Sequence, residues 1–116
     1  MSERSDVLIV GGGPGGSTLG RALARAGMDV TIVDKQTFPR DKVCAGWVTP
    51  AVMESLDLDP ATYARDGVLQ PIHAFRTGML GQRTVVSRYP EVASYGIRRY
   101  EFDAWLLERA INDGVR

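Results

Sequence analysis

Gly11, Gly13 and Gly16 stand at the spacing GxGxxG, and the chemistry such a turn offers is anion binding by backbone alone. Gly11 permits a tight turn, Gly13 removes the Cβ that would keep a pyrophosphate off the backbone, and Gly16 lets the following helix lie close to the strand before it. Pro14 and Gly15 complete the turn, Pro14 at a first helical position where its missing donor costs nothing. The unpaired N–H groups of the helix start, with the positive end of the helix dipole, then face the anion. Asp34, with Lys35 beside it, lies roughly 20 residues farther on, where a carboxylate can accept from both hydroxyls of a ribose. A 2′-phosphate there would be repelled, so the expected nucleotide is of the ADP type. The turn and the acid do not choose between nicotinamide and flavin dinucleotides, which share an ADP half.

Those groups need elements to hold them. Val7–Val10 reads as a buried strand, Leu19, Ala22, Leu23 and Ala26 as an apolar helix stripe facing a sheet with Arg21 and Arg25 turned away, and Val30–Val33 as a second, parallel strand after a stop at Gly27. Thr49 and Pro50 start a helix with Val52, Met53 and Leu56 inward, and Asp59 with Pro60 starts another short turn. Ile72 to Thr77 and Arg83 to Tyr89, joined by the turn Gly78 to Gly81, form a β-hairpin that Pro90 ends. Phe102, Leu106 and Ala110 repeat every four residues as the core side of a last helix, with Trp105 beside them. Gly114 caps that helix, and Val115 begins a further strand.

Two blocks sharpen the reading: FPRDKVCAGWVTP at 38–50 and YGIRRYEFDAWLLERA at 95–110. With the glycine turn, they resemble the amino-terminal part of the FAD-dependent oxidoreductase superfamily of aromatic hydroxylases, flavin-dependent halogenases and geranylgeranyl reductases. FPRDKVC is most similar to the geranylgeranyl reductase branch, from whose CGGGLSP-like loop Ala45 and Trp47 depart. The resemblance implies FAD as cofactor and an α/β fold: a Rossmann-like FAD-binding βαβ unit over 5–35, a flavin loop and helices over 36–66, a β-hairpin beginning a β-rich substrate layer over 67–94, and a return helix and strand start over 95–116. It also implies that Arg40, the loop Cys44, Ala45 and Gly46, and Arg99 join Gly11, Gly13, Pro14, Gly15, Gly16, Asp34 and Lys35 around the cofactor. Arg99 heads an RxxFDxxL pattern completed by Phe102, Asp103 and Leu106. The implied reaction is hydride transfer from reduced flavin to an isoprenoid carbon–carbon double bond. A monooxygenase or halogenase is the alternative enzyme, and a non-catalytic ADP- or NAD-binding module the alternative of another class.

Several residues keep two readings. Cys44, the single cysteine, is a small structural thiol or a reactive one, and no other residue presents itself as catalytic. Arg40, Asp41 and Lys42 are a solvated charged loop or a device that orders the loop over the cofactor. Of the adjacent Arg98 and Arg99, one at most reaches the flavin, and His73, with no nucleophile near it in sequence, reads as structural or exposed.

Composition narrows the partners. With 14 basic and 14 acidic residues, there is no electrostatic case for nucleic acid. One cysteine excludes an internal disulfide and a metal cluster built on thiolates. No apolar run approaches the ~20 residues of a membrane span, and Met1 to Asp6 lack a signal-peptide pattern, so a cytoplasmic location is expected, with peripheral membrane contact left open. The expected substrate is a hydrophobic or aromatic small molecule. Later superfamily blocks, including a second cofactor segment with its GD pair, do not occur in these residues. The chain therefore reads as an incomplete, amino-terminal portion of an enzyme whose remainder lies beyond Arg116, poorly soluble alone because strand edges and apolar faces stay open.

Overall fold

In chain order the elements are β1 (Val7–Val10), α1 (Pro14–Arg25), β2 (Val30–Val33), β3 (Trp47–Val48), α2 (Pro50–Ser55), α3 (Pro60–Tyr63), β4 (Leu69–Ile72), β5 (Ala74–Gly78), β6 (Thr84–Arg88), β7 (Ser94–Ile97) and α4 (Arg99–Asn112). This computed structural model describes residues 4–116, so the signal-peptide reading of Met1 to Asp6 falls partly outside the described residues. The chain divides into two compact units. One takes the residues up to Val43 together with Arg99–Arg116, and the other is Cys44–Arg98.

In the first unit β1 and β2 pair in parallel, Val7 opposite Val30 and Ile9 opposite Ile32. Paired residues share a face, so Val7, Ile9, Val30 and Ile32 point one way. Onto that face pack Leu23 and Ala24 of α1, Ala110 of α4, and Val115, with Val30 and Ala110 wholly buried. Strand β1 is thus not buried on both sides as its apolar run implied. Leu8 and Val10 are 61% and 82% exposed, because neither helix of this unit covers their face.

Helix α1 also departs from the expected stripe. Leu23 faces inward, but Leu19 is half exposed, Ala22 and Ala26 are exposed, and the buried positions are Ser17 and Gly20. The helix runs so close to the sheet that a Cβ at Gly20 would stand 2.9 Å from Cδ1 of Ile32. Small residues therefore occupy the contact, and the large apolar ones are displaced sideways. Arg21 is not turned away either: its Nε donates to Oδ2 of Asp113 at 2.6 Å. Gly27, at φ +89°, ends the helix with its N–H on the Ala24 carbonyl and the Met28 N–H on that of Leu23, a Schellman arrangement. Phe102, Leu106 and Ala110 are buried along α4. After Gly114 (φ +104°) the chain returns to the sheet: Arg116 N–H donates to the Val30 carbonyl at 3.0 Å, and Ile32 N–H to that of Arg116 at 2.7 Å. Strand-type pairing thus resumes on the free edge of β2.

The second unit holds an antiparallel sheet in the order β3-β7-β4 and the separate hairpin β5-β6. The hairpin is shorter than the sequence implied, since Ile72 belongs to β4, which pairs with β7. Strands β3 and β7 lie where a loop and the start of the return helix were expected; both are brief, and Gly96 interrupts the apolar signal of the second. Thr49 and Asp59 cap α2 and α3, accepting from the N–H groups of Val52 and Thr62. Met53 is buried, as its position predicted, whereas Val52 is exposed and Leu56 only half-buried on so short a helix.

Candidate nucleotide-binding site

The first unit folds its glycine turn around a backbone problem that only glycine solves. Gly11 sits at φ +108°, and its N–H continues the β-ladder onto the Val33 carbonyl at 2.7 Å. A Cβ at Gly16 would lie 1.8 Å from the Gly11 carbonyl oxygen, so no side chain fits there. Gly13 precedes α1 as its N-cap without a capping side chain, and Pro14 takes the first helical position. Ser17, buried beneath the turn, donates Oγ–H to the Gly13 carbonyl at 2.8 Å and steadies it from behind. Gly15 and Gly16 lie in the first turn, where N–H groups have no acceptor within the helix. A Cβ at Gly15 would meet only open space.

Asp34 follows β2 directly and is tied to this turn. Its Oδ2 accepts the Gly12 N–H at 2.7 Å, and its Oδ1 accepts the Gln36 N–H at 2.8 Å. The Gly12 bond first, then that from Gln36, holds the carboxyl below the usual carboxylate range, because both donors favour the charged form. Asp34 is exposed, so its remaining lone pairs face solvent.

Two arginines reach the same place from opposite ends of the sequence. Arg40 donates from Nη1 to Oδ2 of Asp103 at 2.7 Å, and its guanidinium lies over the Phe38 ring, 4.5 Å from the centroid. Arg99, at the start of α4, donates from Nε to Oδ1 of Asp103 at 2.6 Å and from Nη2 to Oδ2 at 2.8 Å. The turn, Asp34, Arg40 and Arg99 border one cleft of about 420 Å³. A second cleft of about 460 Å³, lined by Phe38, Leu107 and Ile111 among others, adjoins Asp34 and Gly12. Donors and cations for phosphate, a carboxylate for a ribose diol, and an apolar slot beside it are what an ADP moiety needs.

Of the residues expected at the site, Gly11, Gly13, Pro14, Gly15, Asp34, Lys35, Arg40 and Arg99 line the first cleft, while Gly16 shapes the turn without lining it. Arg40 is no solvated loop residue, its side chain being 11% exposed, whereas Asp41 and Lys42 are exposed. Arg98 is exposed and belongs to the second unit, as do Cys44, Ala45 and Gly46. Cys44 and Ala45 are exposed there; Gly46, at φ +79°, gives its carbonyl to the Ile97 N–H at 2.7 Å. His73 is exposed. The sequence reading missed Asp103 as more than part of a pattern, although an acid four residues after Arg99 on a helix signals an ion pair. It missed Gly12 and Phe38 entirely, since a backbone donor and a ring beneath an arginine leave no pattern. Among the described residues, no group of histidine, cysteine, aspartate and glutamate could hold a metal ion.

Comparison with known proteins agrees with this geometry. Residues 4–106 match the FAD binding domain family. The chain is 35% identical over 121 residues to a menaquinone reductase of Mycolicibacterium smegmatis, covering 100% of this chain and 29% of that protein. It is 35% identical over 126 residues to a tryptophan 2-halogenase of Chondromyces crocatus, covering 100% of this chain and 23% of that one. Among solved structures, a geranylgeranyl bacteriochlorophyll reductase-like protein of Thermoplasma acidophilum superposes with a TM-score of 0.81 at 25% identity, over 96% of this chain and 28% of the other. The chain thus spans less than a third of the length of each of these proteins.

Proposed function

The chain belongs to the FAD binding domain family, matched over residues 4–106, and from that premise we propose that it forms the cofactor-holding part of an oxidoreductase that reduces a carbon–carbon double bond of an isoprenoid-type, hydrophobic substrate. The observation that carries the cofactor-holding role is the convergence of the glycine turn, Asp34, Arg40 and Arg99 on one cleft. In it the helix N-terminus and the two arginines hold the pyrophosphate, Asp34 accepts from the adenosine ribose, and the slot beside Phe38 takes the purine. Lys35 adds charge at the mouth. By the resemblance of their block, Cys44, Ala45 and Gly46 supply the loop whose backbone approaches the flavin. FAD, when bound and reduced, supplies a hydride, and these residues supply binding and orientation.

The reductase reading draws on FPRDKVC and on the similarity to a menaquinone reductase and a geranylgeranyl bacteriochlorophyll reductase-like protein. A second reading, monooxygenase or halogenase, draws on the 35% identity to a tryptophan 2-halogenase, since the cofactor residues serve both chemistries. A plain ADP- or NAD-binding module would need neither the Cys44–Gly46 loop nor the Arg99 block. Among the described residues no helix is long and apolar enough to cross a membrane; a cytoplasmic site of action fits that observation.

Purification tests the cofactor assignment. Yellow protein that releases FAD on denaturation is the expected result, and colourless protein of the calculated 12.7 kDa mass, unable to take up added FAD, would refute the reading that these residues hold FAD by themselves.

A further inference from the structure

Among the described residues Asp103 is the one charged side chain that is wholly buried, and it receives three hydrogen bonds from two arginines. A buried ion cluster is weak evidence for a stabilising role, because desolvation opposes the Coulomb gain. The arrangement carries two further penalties. Arg99 stands at the start of α4, where a cation meets the positive end of the helix dipole, and it shares Oδ2 of Asp103 with a second guanidinium. Yet both arginines border the cleft of the glycine turn, and Nη2 of Arg40 stands 3.5 Å from where a Cβ on Gly13 would sit. Phe38 fixes the guanidinium plane from below.

We infer that Asp103 is a positioning residue: it holds Arg40 and Arg99 in place against the pyrophosphate of the bound dinucleotide. This inference rests on the FAD reading above, and it makes a prediction of unusual sign. A carboxylate felt only through its charge would repel the phosphates, so its removal would tighten binding, whereas a carboxylate that positions two guanidinium groups is missed when it is gone.

The test titrates the protein and its Asp103→Asn variant with ADP and with adenosine, which reaches Asp34 but carries no phosphate. ADP affinity should fall about tenfold or more, the equivalent of one charge-assisted hydrogen bond, with adenosine affinity unchanged and Asp103→Glu restoring part of the loss. ADP affinity that is unchanged or tighter overturns the inference, as does an equal fall for both ligands, which marks a structural role. Should Asp103→Asn fail to fold, Arg40→Lys decides the matter, since lysine keeps the charge but lacks the fork that faces Asp103 and Gly13 together. A selective loss of ADP affinity in that variant that Asp103→Glu shares in part supports the positioning role, and unchanged affinity overturns it. If the unaltered protein binds neither FAD nor ADP, the cofactor reading itself fails, an outcome distinct from failure in the variants alone.

Discussion

Asp34 shows how much a single residue can carry. Its carboxylate belongs at once to the fold, through the Gly12 N–H, and to the candidate ribose site. Asp34→Ala should therefore weaken FAD and ADP binding together, and unchanged affinity in calorimetry would remove Asp34 from the site. Its titration has a defined sign. The folded carboxyl sits below its ordinary value because Gly12, then Gln36, donates to the charged form. What these bonds contribute is fully present above the unfolded value of about 3.9 and is lost as pH falls through the lower folded value. Binding should then be insensitive to Asp34 between about pH 5 and pH 8 and weaken only in acid. A loss of affinity centred near neutrality that Asp34→Asn abolishes would contradict this. Asp34 and the glycines were legible in the sequence because their role depends on spacing along one chain segment. Asp103 and Phe38 were not, because theirs depends on Arg40 being brought to α4 from a distant loop.

At the scale of elements, the contact between α1 and the sheet decides what can change. Gly15 and Gly16 are neighbours with opposite surroundings: open space at one, the Gly11 carbonyl oxygen 1.8 Å from a would-be Cβ at the other. That oxygen is backbone in a strained turn and has nowhere to go. Gly16→Ala should therefore lower the thermal midpoint and abolish FAD retention, while Gly15→Ala should leave the midpoint unchanged. Equal midpoints for the two variants would show that the turn relaxes where the geometry says it cannot. The same close approach explains why the strand–turn–helix–strand order was readable while the helix face was not. Apolar periodicity points to Leu19, Ala22 and Ala26, but a helix seated this near a sheet buries glycine and serine instead. Strands β3 and β7 escaped notice for a related reason: two to four residues, one of them Gly96, are too few for alternation to register, and pairing within the β3-β7-β4 sheet defines them.

For the whole molecule, the face of the β1-β2 sheet bearing Leu8, Val10 and Val33 stands open, and each of these side chains is at least 44% exposed. Contiguous apolar surface of this kind drives association. The 116-residue chain should self-associate in a concentration-dependent manner in sedimentation, and a monodisperse monomer at high concentration would mean that this face is tolerated in water. The relatives of which this chain spans under a third have residues enough to cover such a face. The cofactor residues alone do not separate reductase from oxygen-dependent enzyme, because holding FAD is common to both. What separates them is the fate of the reduced flavin's electrons: a reductase passes them to a carbon–carbon double bond whether or not oxygen is present, and a monooxygenase or halogenase makes no product without it. The enzyme, reduced anaerobically and given a polyunsaturated isoprenoid, should yield product two hydrogens heavier by mass spectrometry. Turnover that appears only on admitting oxygen, with an oxygen or halogen atom in the product, would sink the reductase assignment while leaving the FAD site as described.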